Sequence, residues 1–114
     1  MAAVYDFTLD AGADTVVTYT YKDAAGQLIN LTGYSAKMEL RSAPGGTLGL
    51  QLSTSNGKIA LGGAAGTVTV TFSDTDSITL TLPSYAYDLE LTSGGGLITR
   101  LVQGTVTVSP EVTQ

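Results

Sequence analysis

The sequence predicts an all-β fold, an immunoglobulin-like β-sandwich of about seven to eight antiparallel strands. Three observations lead there. Apolar and polar residues alternate with period two in segment after segment, turn signals recur every ~8–12 residues, and no stretch shows helical periodicity. The chain has 114 residues, 43% of them hydrophobic. A single sandwich domain over residues 1–114 is therefore expected, with roughly two-thirds of the unfolded-chain surface buried.

Taken in order, Tyr5, Phe7 and Leu9 alternate with Asp6, Thr8 and Asp10 as a first strand. Val17, Tyr19 and Tyr21 form the next, ended by the turn residues Lys22-Asp23-Ala24-Ala25-Gly26, with Gln27 to Leu31 expected as a short hairpin return. After Leu31-Thr32-Gly33, the residues Ala36, Met38 and Leu40 alternate with Lys37, Glu39 and Arg41, and Ser42-Ala43-Pro44-Gly45-Gly46 must be a loop. Leu48, Leu50 and Leu52 then lead into Ser55-Asn56-Gly57, which predicts a type I′ hairpin to Ile59 and Leu61.

Gly62 to Gly66 reads as a small-residue loop before a strand carrying Val68, Val70 and Phe72. Ser73-Asp74-Thr75-Asp76-Ser77 reads as a cap or one turn of helix, and Pro83 limits the segment Ile78 to Leu82. Tyr85, Tyr87, Leu89 and Leu91 make the next strand, and Ser93-Gly94-Gly95-Gly96 links it to the last. There Ile98, Val102, Val106 and Val108 are placed on one face, interrupted by Arg100, with a bulge or bend at Gly104 and an end at Pro110.

Composition excludes several function classes. With no His, no Cys and no Trp, the chain lacks the imidazole and thiol of the common catalytic relays and of most transition-metal sites. Ten acidic against five basic side chains give a net charge of −5, which disfavours a nucleic-acid partner. No apolar run approaches the roughly 20 residues of a membrane span, and Met1-Ala2-Ala3-Val4-Tyr5-Asp6 does not read as a signal peptide, so a soluble protein made in the cytoplasm is expected.

Four groups of residues are candidate sites. Asp74-Thr75-Asp76, and Asp10 with Asp14, could offer oxygens to Ca²⁺, but lack the spacing of an EF-hand loop and suit capping better. Asp88 and Glu90 stand two apart on one strand, roughly 7 Å, near the spacing of a glycosidase pair. With Tyr85 and Tyr87 on the opposite face, they read as a solvated exterior beside Lys37 or Arg100. The glycines at Gly62 to Gly66 and Gly94 to Gly96 lack the context of a phosphate cradle. Tyr5, Tyr19, Tyr21, Tyr34, Tyr85 and Tyr87 fall mostly on apolar phases and are expected in the core with hydroxyls at its rim. No catalytic, cofactor-binding or metal-ligating residue is assigned, no cofactor is expected, and the chain is read as not an enzyme.

Several stretches, in order along nearly the whole chain, carry a family resemblance: Asn30 to Arg41, Gly57 to Leu61, Gly66 to Val70, Tyr87-Asp88-Leu89-Glu90-Leu91, and Arg100 to Thr113. They resemble small phage and prophage tail proteins related to the N-terminal domain of phage baseplate upper proteins. Two departures stand out: Leu82-Pro83-Ser84-Tyr85 replaces a Pro-x-Gly turn, and the sequence ends at Gln114 where baseplate upper proteins continue. The resemblance implies an immunoglobulin-like sandwich acting as a structural virion protein of the tail or baseplate. Its partners would be other tail proteins and further copies of itself, without nucleic acid or membrane, and its location the virion. A host-surface adhesin module and a capsid or neck decoration protein are the alternatives. An edge strand and the terminal segments Met1 to Tyr5 and Pro110 to Gln114 are expected to touch neighbouring subunits.

Overall fold

Nine strands and one short helix account for the regular structure of residues 3–110, the part described by the computed structural model. The strands are β1 (Ala3–Val4), β2 (Phe7–Asp10), β3 (Thr15–Thr20), β4 (Ser35–Arg41), β5 (Leu48–Ser53), β6 (Ile59–Leu61), β7 (Thr67–Phe72), β8 (Ser84–Thr92) and β9 (Ile98–Ser109). The helix α1 (Asp74–Ile78) lies between β7 and β8, and a 3₁₀ turn at Gly63–Ala65 precedes β7. Alternation sets each strand's two faces. In β8, for example, Tyr85, Tyr87, Leu89 and Leu91 are buried while the residues between them are only half-buried.

Two sheets stack on one core. The larger runs β1-β9-β8-β4-β5, with β2 also on β9, and the smaller runs β3-β7-β6. Met38, Leu40, Tyr87, Leu89 and Val106 from the first meet Val68, Val70 and Phe72 from the second. In immunoglobulin lettering the small sheet holds places B-E-D and the large one G-F-C, with β5 added beside C, so the expected sandwich is observed.

A second mark of this fold is a tyrosine corner. Near the start of β8, the Tyr85 hydroxyl accepts the N–H groups of Thr81 (2.9 Å) and Leu82 (3.1 Å), pinning the chain that enters the strand. Two residues on, at the place of an antibody-domain cysteine, stands Tyr87. The Tyr19 hydroxyl of β3 donates to the Tyr87 oxygen at 3.4 Å, so a pair of phenols spans the sheets where those domains carry their disulfide.

The N-terminal strands depart from an all-antiparallel sandwich. β1 and β2 run parallel to β9, with Phe7 opposite Val106 and Leu9 opposite Val108. Tyr5 and Asp6 form the kink between them. The Tyr87 hydroxyl donates to the Tyr5 carbonyl, and the Asp6 carboxylate accepts the Thr105 N–H at 2.8 Å. Gly104 lies beneath this kink, where a Cβ would strike the Tyr5 carbonyl and the Asp6 carboxylate. That contact, rather than a bulge, is the reason for glycine there.

The bulge falls instead at Leu101. Leu89 pairs with Val102 but Glu90 pairs with Arg100, leaving Leu101 as the extra residue. The alternation therefore reverses before Val102. Arg100 lies outside opposite Glu90, and Ile98, expected on the buried face, is 62% exposed.

One expected hairpin is shorter than a strand pair, and another is corrected. Residues 27–31 form no regular strand but return antiparallel beside Tyr21 to Asp23, through the Lys22–Leu28 bridge and the bonds from the Asp23 N–H to the Gln27 carbonyl (2.9 Å) and from the Ile29 N–H to the Tyr21 carbonyl (3.0 Å), around a turn in which the Asp23 carboxylate accepts the Ala25 and Gln27 N–H groups. The Asn56-Gly57 turn joins strands in different sheets: β5 pairs with β4 and β6 with β7. Asn56 has no positive φ, so the type I′ turn is not formed. Its side chain instead accepts the Ser53 and Lys58 N–H groups (2.9 and 3.1 Å) and donates to the Gln51 carbonyl at 3.1 Å, shaping a crossover.

Candidate binding surfaces

The acidic candidates come together as structural caps. Ser73 caps α1 through the Asp76 N–H (3.1 Å), while Asp14 accepts the Asp74 N–H at 2.7 Å. Ser77, fully buried, accepts the Gly12 N–H and donates to the Ala13 carbonyl, both at 3.0 Å, so the Asp10–Asp14 loop is fastened to the helix. Asp76 pairs with Lys58 at 2.7 Å. Partial burial would raise its pKa, but the Lys58 ammonium and the Ser73 hydroxyl outweigh that and hold the carboxyl below its usual value. Among the described residues, no group of three or more carboxylates is placed to hold a metal ion.

Asp88 and Glu90 lie on the outer face of the large sheet, as expected. Asp88 pairs with Arg100 at 3.3 Å, and Glu90 stands opposite Lys37 on β4 and Arg100 on β9. This face carries a groove of about 710 Å³ floored by Ala86, Asp88, Gln103 and Thr105, between the N-terminal kink and the loop at 43–45. Arg41 bonds Glu39 at 2.8 Å and the Gly46 carbonyl at 2.9 Å, tying that loop down. Both arginines of the groove thus already have carboxylate partners, which leaves little uncompensated charge for a ligand. An apolar hollow of about 380 Å³, lined by Ala11, Ile78, Leu82 and Pro83, lies at the α1 end.

The tyrosines divide by environment. Tyr85 and Tyr87 are buried, and Tyr19 is half-buried. Burial, together with the hydrogen bond to Tyr87, pushes the Tyr19 phenol well above its usual pKa, and burial likewise raises that of Tyr87. Tyr5, expected in the core, is 48% exposed, stacked on Phe7 at 5.8 Å and edge-on to Tyr19 at 6.0 Å between ring centroids. It closes part of an open seam between β2 and β3.

That seam exists because the N-terminal strands lie beside β9, so that among the described residues nothing lies beside β3. In immunoglobulin constant-type domains a first strand pairs with strand B; here β3 pairs only with β7. The Tyr21 N–H bonds the Gly66 carbonyl, and Tyr21 follows β3 in the same phase as Thr15, Val17 and Tyr19. In an antiparallel ladder alternate residues face alternate sides, so those three bond β7 and Val16, Thr18 and Thr20 aim their N–H and C=O outward. No partner for these outward groups stands among the described residues.

β3 is also unguarded. Thr15-Val16-Val17-Thr18-Tyr19-Thr20 has no charge, proline or bulge, the devices that blunt exposed edges, and Val16 is 60% exposed. The other edges are blunted: β1, β2 and β6 are short, β2 ends in the charged Asp10, and β5 is bulged at Gly49, where Leu40 pairs with Leu50 but Arg41 with Leu48. Part of the expected N-terminal arm is paired within the fold. Ala3 and Val4 are absorbed into pairing with Val102 and Gln103; Met1, Ala2 and residues 111–114 lie outside the described residues.

The chain is thus an immunoglobulin-like β-sandwich in which, among the described residues, β3 presents an open, regular edge. No protein-family model matches it, and no curated protein matches it. Among solved structures it is similar to CopC from Methylosinus trichosporium OB3b, with 15% identity over 99% of this chain and 88% of that one and a TM-score of 0.46. With no family model and no curated protein matching, the expectation of a tail or baseplate component finds no support and is corrected; the neighbour, which is not a phage protein, lends it none. The stretches that carried the phage resemblance are the fold's own strands and turns: Tyr87–Leu91 is the middle of β8, Gly66–Val70 opens β7 and Arg100–Ser109 lies in β9. Such stretches report a sandwich, and a sandwich does not fix a function.

Proposed function

We propose that this protein is a non-catalytic binding module that receives an extended strand of a partner along the β3 edge. The observation that carries this is the run of outward backbone groups on Val16, Thr18 and Thr20, on an uncharged and unbulged strand with the half-covered side chains of Val17 and Tyr19 beneath it. An added strand would satisfy those groups and cover that seam, with main-chain hydrogen bonds supplying affinity and alternate side chains specificity. The absence of imidazole and thiol, and the pairing of both groove arginines, support a binding role over a catalytic one.

A lysine-flanked Thr-Val peptide tests this by titration into ¹⁵N-labelled protein. Shifts and slowed exchange at Val16, Thr18 and Thr20, without change along β5, are expected. Binding confined to the groove beside Arg41 and Arg100, or no effect on β3, would refute the assignment.

A further inference from the structure

We infer that the strand received by β3 is β3 of a second copy, paired antiparallel about a two-fold axis through Thr18. This rests on the strand-accepting edge proposed above and names its occupant. The backbone fixes the choice of register. Within β3 only Val16, Thr18 and Thr20 aim outward, and the one two-fold register that uses all three sets Thr18 against its own copy and Val16 against Thr20 on each side.

The side-chain types suit that register. Val16 faces Thr20 and Thr18 faces Thr18 on the exposed surface, while Val17 faces Tyr19 on the inner one, a β-branched and aromatic pair. Charge supplies the independent argument. The same register brings Asp14, just before β3, opposite Lys22 of the other copy, once at each end of the joint. Both residues are exposed, and Lys22 has no ion-pair partner among the described residues. A strand that is neutral along its length and oppositely charged at its two ends is complementary to its own antiparallel copy. The two small sheets would join into one continuous sheet of six strands.

The chain has no cysteine, so Thr18→Cys introduces a single thiol. Directly opposed residues in a hydrogen-bonded antiparallel pair have Cα atoms about 5.5 Å apart, within the reach of a disulfide. The expected results are a concentration-dependent dimer of the unmodified protein by sedimentation equilibrium and a disulfide-linked dimer of Thr18→Cys on mild oxidation. Gln51→Cys, on the bulged β5 edge, should remain unlinked. Thr18→Pro removes an outward N–H without touching the β7 ladder, and should weaken dimerisation at least tenfold while far-UV circular dichroism stays that of the parent. Lys22→Glu should weaken it roughly fivefold.

A monomer at every concentration, with the Thr18→Cys variant unlinked after oxidation, would overturn the dimer. If the Thr-Val peptide still protects Val16, Thr18 and Thr20 in that monomer, the edge keeps its role and only its occupant changes. A dimer indifferent to both Thr18→Pro and Lys22→Glu would use another surface and overturn the inference as well.

Discussion

Tyr87 connects three elements through one hydroxyl, accepting from Tyr19 on β3 and donating to the Tyr5 carbonyl at the N-terminal kink. Tyr87→Phe keeps the ring and removes both bonds. Leaving partly buried groups unpaired should cost about 1–2 kcal/mol in urea unfolding, with faster amide exchange in β2 because its anchor is gone. The raised Tyr19 and Tyr87 pKa values predict an alkaline limit. Their stabilising contribution is whole below the unfolded-state value of about 10 and declines as pH rises above it. In an absorbance titration these two phenols should ionise above the range of an ordinary tyrosine. Asp76 works in the opposite direction. Its carboxyl is held below the unfolded-state value of about 3.9, so its contribution is present above that pH and lost as pH falls through the lower folded value. Asp76→Asn should lower stability by about 1 kcal/mol at pH 7 and converge on the parent in strong acid, compared by urea unfolding at the two pH values.

At the scale of elements, regular pairing is legible in the sequence and context is not. Val68, Val70 and Phe72 mark β7, and Tyr85 to Leu91 mark β8, because alternation with β-branched and aromatic residues directly encodes a half-buried strand. Asn56-Gly57 misleads because the dipeptide encodes a reversal but not which sheet the chain re-enters, and β5 and β6 separate there. Arg100 visibly interrupts a face, yet a one-residue bulge at Leu101 is invisible without its partner strand. The β3 edge is hidden for the same reason: the return over Gln27 to Leu31 pairs with Tyr21 to Asp23, beyond β3, and only the fold shows that no described residue pairs the outward side of Val16, Thr18 and Thr20. The neutral Thr-Val-Val-Thr-Tyr-Thr sequence of β3 is the available signal. The close approach of Tyr5 to Gly104 makes a prediction at this scale. Gly104→Val must displace backbone rather than a flexible side chain, and should cost about 1–3 kcal/mol, read by thermal unfolding, with β1 detaching from β9 in exchange measurements.

For the whole molecule, stability comes from the inward face of each strand, and the proposed recognition from an edge. The core is shared by both sheets and centred on Phe72, Leu89 and Met38, all fully buried; Phe72→Ala should cost about 3–5 kcal/mol in equilibrium unfolding. Recognition falls to the edge that the core leaves unfinished, because the first strands pair with β9 and leave the place beside β3 open. Residue-resolved hydrogen exchange across β3 tests this most directly. Val17 and Tyr19, bonded to β7, should be protected at every protein concentration, whereas Val16, Thr18 and Thr20 should exchange freely in dilute solution and slow together as an added strand or a second copy binds. If those three amides are protected in the isolated monomer, or stay unprotected in the presence of either strand, β3 is not the binding edge.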